Sequence, residues 1–300
     1  MKHHYIPQFY LRQWLGPDHK LQEFRRGHKG RLQTKRYGTV STGYEEDLYV
    51  VPGVTEETKQ NIERYFMGFV DNSAVKARDM LLDGIIPRDP DLRYSWARFV
   101  LSLVFRNPEE LTQFKADFAR RLMTPMAEFQ SRYQAIRKDQ DPVLFEDWIQ
   151  HNDPTYAERE AIKAMARLIE HPNALHLLRN MYWVVLDTGK VSNRLMTSDR
   201  PVVMSSGLMR FDGHYGIPIS PTRMFLAFTA VDFAERFCAL PTGKIVREVN
   251  DAVVGQARKY VYSIDRSNFS EVKRKIGKRE APSFIKTFSR DLDAKYGDNV

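Results

Sequence analysis

One cysteine, Cys238, in 300 residues leaves no partner for an internal disulfide and no set of thiolates for a metal cluster within one chain. No apolar run approaches the roughly 18 residues needed to cross a bilayer. The first residues do not read as a secretory leader, because Lys2, His3, His4 and Pro7 interrupt any apolar stretch. Internal repeats and low-complexity tracts are missing, which argues against solenoids and linker-joined modules. The chain also lacks a Walker loop, GxGxxG, GxSxG, HExxH and paired CxxC, and with them the nucleotide, hydrolase and zinc chemistries those spacings support. These absences predict a cytoplasmic protein with no membrane partner.

Acidic residues are scarce at the start of the chain. Residues 1–40 hold nine Lys and Arg against only Asp18 and Glu23, and Lys273–Arg279 forms a second basic run. With a net charge of +8, these patches favour polyanions and predict salt-dependent binding to nucleic acid. What is plentiful is apolar surface, 42% hydrophobic with 12% aromatic residues, enough for a well-filled core.

Pro7–Leu15 reads as a short helix with proline in its first turn. Lys20–Arg25 and Arg31–Lys35 flank a Gly-rich connector and read as a hairpin, and Gly43–Val51 ends in a short strand. Helices follow at 55–69, 73–82, 91–105, 108–137 and 154–180, the last with a kink at Pro172. Strand character returns at 181–186, 193–203 and 217–229, then an amphipathic helix over 246–262 and a polar tail. The expectation is one α+β domain over 1–300, with a helical middle packed on a mixed or antiparallel sheet formed by the N- and C-terminal segments. Its parts are 1–52 (β-rich), 55–180 (helical), 181–265 (β-rich with a late helix) and 266–300 (polar and basic).

Several short motifs recur in a recognisable order. His4-Tyr-Ile-Pro7 leads into Tyr10-Leu11; Glu46-Asp-Leu-Tyr49, Ile62-Glu63, Arg106-Asn-Pro108, Thr197-Ser-Asp-Arg-Pro-Val202, Pro218-Ile-Ser-Pro221 and Asn250 follow. Together, over roughly residues 2–265, they resemble the domain-of-unknown-function 4238 family. The resemblance implies a shared set of motifs but no reaction, since the family has no assigned biochemical function.

The motif residues are also the candidates for chemistry. His4 can act as a metal ligand or general base near neutral pH, or its ring can simply cap the following helix or pack on the sheet. His3 points the other way in an extended chain and reads as incidental. Asp199, at a strand end before Pro201, can ligate a hard cation or orient an imidazole, or close an Asx-turn. Glu63 lies on an inward helix face and needs a partner such as Arg106, and Glu46 is the remaining acid near the motifs. Arg106 can hold a phosphate in a bidentate grip or neutralise Glu63. Lys35 and Arg36 can contact phosphates or lie on a solvated hairpin edge.

Three functions are compatible with these residues. One is a metal-dependent phosphodiesterase or nuclease, in which His4 and Asp199 with Glu46 or Glu63 hold a divalent metal ion or activate water. The second is a non-catalytic module that binds nucleic acid or a protein, with the motifs as structural pins. The third is an enzyme or sensor for a small phosphorylated ligand, which needs a pocket of several hundred cubic ångströms.

Overall fold

The computed structural model describes residues 2–27, 31–48, 68–122, 127–205 and 211–280. The expected α+β architecture is present. Its strands are β1 (Lys2–His4), β2 (Leu21–Arg26), β3 (Leu32–Tyr37), β4 (Tyr44–Glu46), β5 (Tyr182–Asp187), β6 (Thr197–Ser198), β7 (Val203–Met204), β8 (His214–Ser220), β9 (Arg223–Phe228) and β10 (Tyr260–Ser263). They form an antiparallel ribbon β1–β4 and two antiparallel sheets, ordered β3-β2-β10-β6 and β5-β9-β8-β7. The first sheet joins the two ends of the chain, because β2 and β3 pair with β10 and β6.

The helical middle runs from α2 (Asp71–Leu82) through α3 (Pro90–Phe105), α4 (Pro108–Leu122), α5 (Ala127–Ile136), α6 (Phe145–Asn152) and α7 (Tyr156–Ile169) to α8 (Pro172–Asn180), after the short α1 (Gln8–Leu11). Helix α3 starts where Asp89 accepts a hydrogen bond from the Asp91 N–H at 2.9 Å and proline occupies the first helical position. Trp96, Phe99, Val100 and Leu103 face inward on it, and Trp96 meets Phe225 of β9 edge-on at 5.6 Å. That contact joins the helical layer to the second sheet within one core that also takes in Tyr10, Trp14 and Leu21.

Five expectations change. The segment 108–137 forms two helices, α4 and α5, and 154–180 divides into α7 and α8, with Pro172 opening a new helix instead of kinking one. Helix α9 (Val231–Cys238) was not foreseen. The helix expected over 246–262 starts earlier and stops earlier, as α10 (Thr242–Gln256), and Tyr260–Ser263 is instead the central strand β10. The aromatic and β-branched run Tyr-Val-Tyr suits a strand buried on both faces, and all four residues of β10 are buried. The tail after Asp265 is not simply polar: α11 (Phe269–Lys275) packs Val272, with Ile276 after it, against Phe24 and Val261. The helix expected over 55–69 and the strand end at Val50–Val51 fall outside the described residues, apart from positions 68 and 69.

Helices α2 and α3 are locked by a buried ion pair. Arg106 is 0% exposed and donates to both Asp71 oxygens at 2.7 and 3.3 Å. Removing one partner strands the other charge in the core, which costs about 3–5 kcal/mol. Asp71→Ala is therefore expected to lower the unfolding free energy in urea by about that amount; a loss under about 1 kcal/mol, the scale of an exposed pair, contradicts this account.

Candidate functional site

Several of the motifs meet at one stretch of chain, residues 194–202, which is gripped from outside along most of its length. The Trp14 indole donates to Leu195 O at 2.9 Å, and Tyr10 Oη donates to Pro218 O at 2.7 Å while sitting 2.6 Å from Thr197 Oγ1. The phenol has one proton, so Thr197 is the donor in the second bond. The Asn250 side chain accepts from Met196 N and donates to Arg194 O, both at 2.9 Å. Gln256 donates to Arg200 O and to Val202 O, and Asn107 donates to Asp199 O at 3.2 Å.

Asp199 is the centre of this arrangement. Its carboxylate accepts from the backbone N–H groups of Arg258 (3.0 Å), Lys259 (2.5 Å) and Tyr260 (3.1 Å), and its own N–H donates to Tyr260 O at 3.0 Å. The first two of those amides belong to the turn between α10 and β10 and the third opens β10, so that Asp199 pairs N–H groups where helix gives way to strand. Burial raises the Asp199 carboxyl to about 6, against the downward pull of the three N–H groups.

Beside it, the β1–β4 ribbon is tied to the start of β10 through Glu45 and Lys259. The register pairs His3 with Glu45 and His4 with Tyr44, and Glu45 reaches Lys259 Nζ at 2.5 Å. Strand alternation therefore puts His3, with Glu45, on the side of Lys259, and turns His4 away from it. Tyr5 returns to that side: burial holds its phenol well above the usual value, and Asp199, Tyr262, Tyr260 and Glu45 reinforce the shift. The same cluster contains Glu23, whose carboxylate accepts from the Thr42 hydroxyl, itself 2.9 Å from Tyr262 Oη. Burial raises the Glu23 carboxyl, although Thr42, Arg25, Lys259 and Lys35 all favour its ionised form.

The predicted site residues separate into different environments. His4 is buried, 5.6 Å from the Tyr44 ring centre. Burial lowers its pKa, against the Val40 and Thr39 backbone, and its Nε2 has no hydrogen-bond partner. Glu46 is exposed on β4, its Cα in register with Lys2. Glu63 lies outside the described residues, and the carboxylate at Arg106 is Asp71. Arg36 is committed to Asp18 at 2.6 Å and to Lys20 O and Ile264 O. Lys35 is exposed, its ammonium 5.1 Å from the Tyr37 ring centre. Among the described residues, no three His, Cys, Asp or Glu side chains come together as a possible metal site. The cavity beside Arg200 and Asn107 holds only about 40 Å³, and no described helix is long and apolar enough to cross a membrane.

Glu23, Arg25, Lys259 and Tyr260 were missed by the reading of the sequence. For Tyr260 and Lys259 the available signal was the alternation of a buried strand, hidden inside an extended helical pattern. For Glu23 it was an acid isolated among cations.

A family model described as "Protein of unknown function (DUF4238)" matches residues 2–267. No curated protein and no solved structure matches the chain.

The Asp199 carboxyl sets a pH dependence. Its folded pKa of about 6 lies above the ordinary carboxylate value of 3.8, so between those values the folded chain holds a proton that the unfolded chain releases. This group therefore stabilises the fold most below about pH 4, and its contribution declines as pH rises through about 6, by about 3 kcal/mol in all. Asp199→Asn is expected to lose that slope, so that the difference in unfolding free energy between the two proteins changes between pH 4 and pH 7. A constant difference across that window contradicts the assignment.

Proposed function

Because the chain belongs to the DUF4238 family, whose description assigns no activity, its function has to be argued from its own surface, and we propose that it is a nucleic-acid-binding module that holds a phosphate backbone on the rim of the first sheet. The observation that carries this reading is the placement of Arg25 and Lys35, with Lys259 at the start of β10, around one buried carboxylate, Glu23. Glu23 lies opposite Lys35 on β3 and Tyr262 on β10, and Arg25 lies opposite Tyr260. Alternation puts Glu23, Arg25, Lys35, Tyr260 and Tyr262 on one face, and the Lys259 ammonium lies 5.2 Å from the Tyr260 ring centre.

One acid cannot neutralise three cations, and Glu45 is the only other acid that pairs with them among the described residues. Arg25 and Lys35 are exposed and rest near the Tyr260 and Tyr37 rings, at 5.7 and 5.1 Å. These rings hold the cations outward as a ledge, the arrangement that positions a nucleic-acid backbone without reading its bases. In this reading the motif residues are pins: Asp199 binds amides, Arg106 binds Asp71, and Arg36 binds Asp18.

A single observation favours the metal-dependent nuclease as a second reading, namely the buried and unpartnered Nε2 of His4. Cleavage of labelled DNA or RNA with Mg²⁺ or Mn²⁺, abolished in His4→Ala, separates it from the first.

The binding reading is tested by fluorescence anisotropy with labelled single- and double-stranded oligonucleotides across a salt series. Arg25→Glu combined with Lys35→Glu is expected to weaken binding by at least about tenfold and to reduce the salt slope by about 2, one for each phosphate the variant no longer holds. Unchanged affinity and slope in a folded variant rule the ledge out.

A further inference from the structure

A cavity of about 280 Å³ opens between α10 and the second sheet, and no ledge residue lines it. Its size is near the lower end of the roughly 300–1,000 Å³ typical of small-molecule pockets. Met224, Leu226, Phe237, Ile245 and Val249 make its walls apolar. Its floor includes Gly216 in the middle of β8, where a Cβ would stand 2.6 Å from Met224 Cε and 2.8 Å from Leu226 Cδ2. Glycine inside a strand marks a place where another group approaches the backbone closely.

The charges at the cavity differ in what they already hold. Asp251 pairs with Lys275 at 2.6 Å, and Glu248 lies 3.9 Å from Lys244. Arg279 has neither an ion pair nor a side-chain hydrogen bond among the described residues. Its position is nonetheless set: its N–H donates to Gly255 O at 2.9 Å. Its stem also lies on the bare helix surface at Gly255, where a Cβ would come within 2.9 Å of Arg279 Cβ. An arginine with a fixed backbone and stem, and no acid of its own among the described residues, lining a cavity with apolar walls, complements a ligand with an apolar body and one anionic group.

We propose that this cavity binds a small amphipathic anion, an aryl or alkyl carboxylate or sulfonate, with its apolar part against Met224 and Leu226 and its charge on Arg279. The assignment is independent of nucleic-acid binding, since it shares no residue with the ledge.

Two fluorescent probes of similar shape test it on the full chain: 1-anilinonaphthalene-8-sulfonate, which is anionic, and N-phenyl-1-naphthylamine, which is neutral. Wild type is expected to bind both at one site. Arg279→Gln, a change at an exposed residue, should weaken the sulfonate about tenfold and leave the neutral probe unchanged, as expected when one charge-assisted hydrogen bond is removed. Ala252→Leu, which narrows the cavity, should weaken both probes. Circular dichroism and thermal melts establish that each variant is folded. The proposal is overturned if wild type binds neither probe, if Arg279→Gln affects both probes equally or neither, or if a folded Ala252→Leu binds both as wild type does.

Discussion

Three backbone N–H groups, from Arg258, Lys259 and Tyr260, point into one buried carboxylate, and the rest of the architecture depends on that convergence. Where the chain has left a helix and is entering a sheet, its backbone N–H groups are paired by neither element. Here a single side chain from about 60 residues earlier in the chain satisfies them. Asp199 thereby fixes where α10 ends and where β10 begins, and β10 is the strand that ties the N-terminal hairpin to the C-terminal half. The partners of Asp199 are themselves held: Asn107 from the start of α4 takes its carbonyl, and Gln256 from the end of α10 takes the carbonyls of Arg200 and Val202.

The same clamp decides which charges are available at the surface. Lys259 is placed by its own amide on Asp199, so its ammonium emerges beside Tyr260 and meets Glu45 of the ribbon. Arg25 and Lys35 reach the same face because β2 and β3 extend the sheet from β10. Cations elsewhere in the motifs are occupied, Arg106 inside the core and Arg36 at Asp18. The division between structural charge inside and available charge on the ledge follows from one strand order, and it is the physical basis of the proposal that places binding on the ledge.

Much of this was legible in the sequence. Helix α3 and the β2–β3 hairpin announce themselves through apolar period, proline and glycine, which act locally. The importance of the Ser198-Asp199-x-Pro201 stretch was visible too, and its Asx-type backbone role was one of the two readings open. What was hidden depended on distant partners. Nothing near Arg106 indicates that Asp71 is its acid. Nothing near Tyr260 shows that the helical pattern ends at Gln256, because the amides that end it are satisfied by Asp199. The two adjacent histidines show the same limit: alternation separates their sides, but only the register with Glu45 and Tyr44 tells which side faces the cluster, and it is His3 that does.

The central claim is that Asp199 clamps backbone amides. Amide hydrogen exchange at Arg258, Lys259 and Tyr260 tests it most directly, because residues in a turn between elements normally exchange fast. The account predicts slow exchange at all three, unchanged by Mg²⁺, and selectively accelerated in Asp199→Asn. Fast exchange in the wild-type chain, or protection that changes when the metal ion is added, contradicts it.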